Sequence, residues 1–216
     1  MERQDVEFTA ADGVTLRGWL FIPDGAGPHP AITMAHGFAG VKEHGLTRFA
    51  ELFAGAGFVV LVHDHRSFGA SDGMPRGDVD PWTQVADWRR AISFLESHPS
   101  VDPTRIGLWG TSYAGGHAIV LGATDRRLRA VVAQVPTISG YQQSLRRVAP
   151  EHVAALEAAF IDDERRQFRH AVGAARSAQH AALVDGDAAR VVAAVFEPLQ
   201  ALDEDRDDVA RAGRAD

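Results

Sequence analysis

The chain of 216 residues contains no cysteine. This absence excludes disulfide bridges, a thiolate nucleophile and metal sites built on cysteine. Long hydrophobic runs are also missing, because no apolar stretch approaches the roughly 18 residues that a membrane helix needs. The opening residues MERQDVEF lack the apolar core of a signal peptide. We therefore expect a cytoplasmic protein that has no membrane partner.

Positive charge is scarce. Lysine and arginine number 22 against 29 aspartates and glutamates, and the net charge is -7. This balance disfavours nucleic acid and anionic lipid as partners. The length and the 45% content of hydrophobic residues indicate a globular protein with a sizeable core.

Short apolar runs predict a sheet. Residues 6–22 alternate apolar and polar side chains around Asp12-Gly13, the pattern of an antiparallel hairpin with a tight turn. Four nearly continuous apolar runs follow, as is typical of parallel strands buried on both faces. These runs are residues 31–36, 58–64, 105–110 and 128–135.

Helical segments separate these runs. One spans about residues 43–56 and ends at Gly57, which suits a left-handed cap. Another begins at Pro81 after the cap candidate Asp80. Its apolar face predicts core positions at Trp82, Val85, Trp88, Ile92 and Leu95. Alternating strands and helices predict an α/β fold, a doubly wound, mostly parallel sheet entered through the antiparallel hairpin.

The composition changes after Pro136. Residues 151–216 hold 18 alanines among many charged residues, and their only strand-like run is 191–196. We predict a core over residues 1–140 and a helical, lid-like or partly disordered tail over 141–216.

The stretch GLWGTSYAGG, residues 107–116, places Ser112 where an apolar run meets glycines. A serine on a sharp turn between a buried strand and a helix tolerates only small neighbours two residues away. Gly110 and Ala114 meet that demand. The start of the helix would direct N–H groups toward an anion formed beside Ser112.

Three motifs follow three successive strands: HGFAG at 36–40, DHRSFGASDG at 64–73 and GTSYAGG at 110–116. On these motifs the chain resembles the α/β-hydrolase superfamily, in particular its dienelactone-hydrolase-like, acetyl-xylan-esterase-like and prolyl-peptidase-like branch. The resemblance covers residues 5 to about 140. It implies that the C-terminal strands of the sheet are missing, and the open edge that this leaves favours a homo-oligomer. It implies an α/β-hydrolase fold and a serine hydrolase that needs no cofactor and acts on a small acyl substrate, a carboxylic ester or a related thioester or amide.

The resemblance also implies roles for individual residues. Ser112 is the expected nucleophile, and the backbone N–H groups of Phe38 and Tyr113 are the expected oxyanion donors. Ala114 departs from the superfamily pattern, which has glycine there, by one methyl group. Acyl transfer to an alcohol instead of water stays open.

The acid and the histidine of a catalytic triad are harder to place. In this superfamily they follow the serine in that order, but the last histidine is His180, so Glu197 after residues 191–196 cannot be the acid. Asp162 or Asp163 with His170 or His180 has the right order but lies in a predicted helical region.

Two alternatives therefore stay open. The first is a serine hydrolase that acts through an acyl-enzyme at Ser112, with its triad acid and histidine unplaced. The second is a catalytically silent hydrolase-fold protein that binds a ligand or partner, or a truncated or frame-shifted product that lacks the triad acid and histidine.

Other polar residues near the motifs have simpler interpretations. His63 and His65 flank Asp64, yet no third ligand is evident, so we expect no metal site. We expect Asp64 and Arg66 to anchor their loop by ion pairing and hydrogen bonding. The side chain of His36 is expected to pack behind the HGFAG loop.

Overall fold

The computed structural model describes residues 1–169. The chain divides into two compact units, Met1–Thr137 and Ile138–Asp216. The strand-like run 191–196 and the candidate bases His170 and His180 lie outside the described residues. The division expected from the sequence, 1–140 and 141–216, therefore stays a prediction.

A six-stranded sheet forms the first unit, in the spatial order β1-β2-β4-β3-β5-β6. Strands β1 and β2 form the predicted antiparallel hairpin, and β4, β3, β5 and β6 run parallel. This topology confirms the predicted α/β-hydrolase fold class. The strands are β1 (Glu2–Thr9), β2 (Thr15–Ile22), β3 (His29–Ala35), β4 (Val59–His63), β5 (Val101–Thr111) and β6 (Leu128–Gln134).

Three helices of the first unit cover the sheet: α1 (Leu46–Gly55), α2 (Pro81–Ser97) and α3 (Tyr113–Thr124). Helix α2 begins as predicted, because the Asp80 carboxylate accepts hydrogen bonds from the N–H groups of Trp82 and Thr83 at 3.0 and 3.1 Å. Gly57 follows α1 with φ +93°, the left-handed conformation expected there.

The sheet has a different core on each face. Helix α1 packs against Met34, Val60 and Val62 on one face. Helices α2 and α3 pack against the opposite face in a larger cluster. Trp88 is fully buried there, and its indole N–H donates to the Thr33 hydroxyl at 2.8 Å. The prediction that Trp82 is a core residue is wrong: its side chain is 45% exposed, because it lies in the first turn of α2, before the buried stretch that starts at Gln84.

Strand β6 differs from the sequence prediction. Its apolar run predicts burial on both faces, but Val132 is 50% exposed and Ala130 is also exposed. The reason is position: β6 is the last strand of the described sheet, and α3 packs on it from one side. Association of two copies through this edge stays a prediction.

The second unit contains two helices within the described residues, α4 (Gly140–Leu145) and α5 (Val153–Arg169). A 3-10 turn over Pro150–His152 precedes α5. Among the helices of residues 1–169, none is long and apolar enough to cross a lipid bilayer.

Candidate active site

Ser112 joins the end of β5 to the start of α3 with φ +55° and ψ -118°. A non-glycine residue in this region stores on the order of 1–3 kcal/mol of strain, so its surroundings must hold it. The Ser112 N–H donates to the Gln134 carbonyl at 2.9 Å, and the Ser112 carbonyl accepts from the N–H groups of Gly115 and Thr137, each at 2.9 Å. Backbone hydrogen bonds therefore fix the turn, and the side chain of Ser112 stays partly exposed.

The small neighbours of Ser112 are sterically required. A Cβ at Gly110 would lie 2.2 Å from the Ala114 carbonyl oxygen, and one at Gly115 would lie 2.9 Å from the Cα of Pro136. Ala114 itself is fully buried. The strand and the helix approach so closely that glycine is needed at both positions, whereas a methyl group fits at position 114.

The loop after β3 lies beside the serine. A Cβ at Gly37 would lie 3.3 Å from the Ser112 Cβ and 3.8 Å from its Oγ. The rings of Phe38 and Tyr113 meet edge to face, 5.7 Å apart at an interplanar angle of 80°. The fold thus brings together the three residues singled out from the sequence. Phe38 is 74 positions before Ser112 in the chain, and Tyr113 directly follows Ser112.

A buried ion pair ties this loop to the end of β4. The Asp64 carboxylate accepts from the Lys42 backbone N–H at 2.7 Å, the Lys42 Nζ at 2.6 Å and the Ala70 N–H at 2.9 Å. The Lys42 side chain is 5% exposed and that of Asp64 is 0% exposed. Burial acts to lower the pKa of Lys42, but the hydrogen bonds to Asp64 and Glu43 and the charges of these carboxylates together outweigh it, so the pKa is raised.

Arg66 anchors the neighbouring loop through other partners. Its Nε and Nη2 donate to the two oxygens of Asp87 at 2.5 and 2.6 Å, and its Nη1 donates to Asp12 at 2.7 Å. Asp64 and Arg66 thus both form ion pairs, each with a separate partner. The burial of Lys42 could not be predicted from the sequence, because a lysine in a polar loop is ordinarily solvated.

Four histidine rings are buried in the first unit: His36, His63, His65 and His117. The His65 ring centroid is 4.6 Å from that of His36, 5.6 Å from that of His63 and 5.5 Å from that of His117. We call these four residues the histidine cluster. They come from the HGFAG loop, the end of β4 and helix α3, so sequence spacing could not reveal the cluster.

Burial keeps the histidine cluster neutral. Desolvation, followed by the proximity of His36, lowers the pKa of His63 to about 3 and that of His117 to about 3, and it lowers the pKa of His65 strongly. In the described part of the chain, the ring nitrogens of His63 and His65 have no hydrogen-bond partner. Residues 1–169 contain no group of three side chains arranged to hold a metal ion.

The triad acid and base are not assigned within residues 1–169. No histidine of this range is hydrogen-bonded to the Ser112 hydroxyl. Asp162 lies on α5, where its carboxylate pairs with Arg165 at 3.3 Å. The side chain of Asp163 lies outside the described residues, as do His170 and His180.

Comparison with known proteins decides the family. The sequence pattern of the X-Pro dipeptidyl-peptidase (S15) family matches residues 12–213. The chain belongs to this family. The S15 match includes the Ser112 turn and extends through most of the alanine-rich segment. The motifs read from the sequence alone did not cover that segment.

Individual relatives of this S15 chain include the quorum-quenching protein AidA of Acinetobacter baumannii (strain MDR-ZJ06), 41% identical over 65% of this chain and 46% of AidA. Thiohydrolase aneE of Aspergillus aculeatus (strain ATCC 16872 / CBS 172.66 / WB 5094) is 44% identical over 62% of this chain and 42% of aneE. The crystal structure of the α/β-hydrolase GrgF from Penicillium sp. sh18 matches with a TM-score of 0.66 at 34% identity, over 79% of this chain and 56% of GrgF.

These similarities confirm that the S15 chain is a member of the α/β-hydrolase superfamily, whose relatives include proteins named as hydrolases. The family is thus one of hydrolase-type enzymes. The chain spans about half the length of the curated relatives it matches.

Proposed function

We propose that Ser112 is the nucleophile of an acyl hydrolase. Its Oγ attacks the acyl carbon while a general base takes the hydroxyl proton, and a tetrahedral intermediate forms. The bond to the leaving group then breaks as the base passes that proton to the leaving group. Water then cleaves the acyl-enzyme and releases the carboxylic acid. The N–H groups of Phe38 and Tyr113 hold the oxyanion in both steps.

One observation carries this proposal: the left-handed backbone of Ser112 at the junction of β5 and α3, with Gly37 against its side chain. A strained serine at a strand-to-helix turn presents its hydroxyl above the sheet edge, which is the geometry that nucleophilic attack requires. The start of α3 at Tyr113 adds a positive end of the helix dipole beside the oxygen where charge develops.

The substrate class we propose is a small carboxylic ester or thioester. Relatives named as thiohydrolases favour the thioester among the acyl derivatives. A matched pair of phenyl ester and thiophenyl ester with the same acyl chain tests this choice. We expect the thiophenyl ester to have the higher kcat/KM, and a clear preference for the oxygen ester would exclude the thioester assignment.

A catalytically silent protein is the competing function. A serine hydroxyl is too weakly acidic to attack an ester without a neighbouring base. Within residues 1–169 no histidine bonds to Ser112, and this observation is the one that favours a silent protein which binds a ligand or partner.

A fluorophosphonate probe tests the proposal. We expect one covalent adduct per chain by intact mass, located at Ser112 by peptide mapping, because the proposed site places the hydroxyl beside two oxyanion donors and a general base. Ser112→Ala should lower the labelling rate by a factor of about 1000 or more. Circular dichroism of both proteins checks that the substitution leaves the fold intact.

Ser67 supplies a matched control, since it is the other described serine with a left-handed backbone, φ +66°, but it is buried in a loop. Ser67→Ala should label at the rate of the unmodified protein. A folded protein that resists the probe, or labelling that persists in Ser112→Ala, would refute the nucleophile and favour the silent binding protein.

A further inference from the structure

The side chain of His36 is bonded at both ring nitrogens. Its Nε2 lies 3.1 Å from the His65 backbone nitrogen, and its Nδ1 lies 2.9 Å from the Gly37 carbonyl oxygen. A backbone N–H can only donate, so Nε2 is the accepting nitrogen and carries no proton. The single ring proton therefore sits on Nδ1 and is donated to the Gly37 carbonyl.

The Gly37 carbonyl has a second donor, the Gly40 N–H at 3.1 Å. This carbonyl and the Phe38 N–H belong to the same planar, trans peptide group, in which they point in opposite directions. Whatever fixes the carbonyl oxygen therefore also fixes the direction of the Phe38 N–H. Glycine at position 37 offers little resistance of its own to rotation of this peptide.

We propose that His36 is a positioning residue that locks the Gly37–Phe38 peptide with the Phe38 N–H directed at the Ser112 hydroxyl site. The inference rests on the proposed function, in which this N–H is an oxyanion donor. From the sequence we expected the His36 side chain to pack behind the loop. Packing requires only the shape of the ring and does not depend on which nitrogen carries the proton. A positioning role needs a donor at Nδ1.

The surroundings of His36 maintain that arrangement. The ring is 3% exposed and meets the rings of His65 and Phe68 edge to face, at 4.6 and 5.8 Å between centroids. Burial lowers the pKa of His36, although the Gly37 hydrogen bond and the Asp64 charge partly oppose this. The neutral ring needed for an accepting Nε2 is thus favoured near neutral pH.

Two polar substitutions separate positioning from packing. In His36→Asn the side-chain amide can occupy the place of Nδ1 and donate to the Gly37 carbonyl, whereas in His36→Gln the amide reaches the place of Nε2 instead. We expect His36→Gln to lower kinact of fluorophosphonate labelling about 100- to 1000-fold with KI unchanged, since one oxyanion donor is lost. His36→Asn should retain most of the rate.

Crystal structures of the two variants give a readout that needs no reactivity. The Gly37–Phe38 peptide should keep its orientation in His36→Asn and rotate in His36→Gln. If the peptide is unchanged in His36→Gln, the inference is overturned whether or not the protein labels. Equal kinact in the two variants, with labelling that still depends on Ser112, would reject the positioning role and leave the proposed nucleophile standing.

Discussion

Replacing Lys42 with methionine should lower the free energy of unfolding by about 3–5 kcal/mol, because it leaves the buried Asp64 carboxylate without its cationic partner. Asp64 has no exposed surface, and the ion pair it forms with Lys42 measures 2.6 Å between Nζ and Oδ2. Two backbone N–H groups still bind the carboxylate after the substitution. They reduce the penalty but cannot neutralise a charge. Urea titration followed by tryptophan fluorescence measures the change.

The double variant Lys42→Met with Asp64→Asn distinguishes the effect of losing the ion pair from the effect of leaving a buried charge without a partner. Removing both charges should recover a large part of the lost stability, because the uncompensated carboxylate is then gone. The exposed pair of Arg105 and Asp102 is the matched control, and Arg105→Met should leave unfolding nearly unchanged. If Lys42→Met lowers the free energy of unfolding by less than about 1 kcal/mol, the buried ion pair of Lys42 with Asp64 does not stabilise the fold as expected.

Acid should destabilise the protein steeply between about pH 6.5 and pH 4. The folded protein holds the pKa of His63 and His117 at about 3, whereas a histidine in the unfolded chain titrates near its ordinary value of about 6.5. When folding lowers the pKa of a histidine, its contribution to the free energy of unfolding is fully present above about pH 6.5. This contribution is lost as the pH falls toward the pKa of the folded state. The two protons that His63 and His117 take up on unfolding alone give a slope of about 3 kcal/mol per pH unit, and His65, whose pKa is also lowered by burial, adds to it.

Urea titrations at a series of pH values from 7 to 4 measure that slope. His63→Phe keeps a ring of similar size among the surrounding aromatic residues and should reduce the slope by about 1.4 kcal/mol per pH unit. His152→Gln, at an exposed position outside the histidine cluster, should not change it. A slope below about 1 kcal/mol per pH unit for the unmodified protein would show that the cluster does not stay neutral on folding.

Local signals in the sequence predicted the sheet and the start of its helices. The Asp80-Pro81 pair marks a helix start by chemistry that acts within three residues, and the structure places the α2 cap there. The apolar run of β6 also marks a strand, but burial depends on what packs against each face. Val132 is half exposed for that reason, and no local pattern could reveal it.

The site was predictable only in part. Ser112, Phe38 and Tyr113 are recognisable because each belongs to a short motif at a strand end, and parallel strands bring those ends together. The pairing of Lys42 with Asp64 spans 22 residues, and the histidine cluster joins several elements. Such contacts depend on the three-dimensional path of the chain, which motif spacing does not record.

A crystal structure of the protein after reaction with a small fluorophosphonate tests whether Ser112 is the nucleophile of a preformed oxyanion site. We expect phosphorus bonded to the Ser112 Oγ and the phosphonyl oxygen about 3 Å from the backbone nitrogens of both Phe38 and Tyr113. An adduct on another side chain, or a phosphonyl oxygen directed away from those two nitrogens, would contradict this expectation.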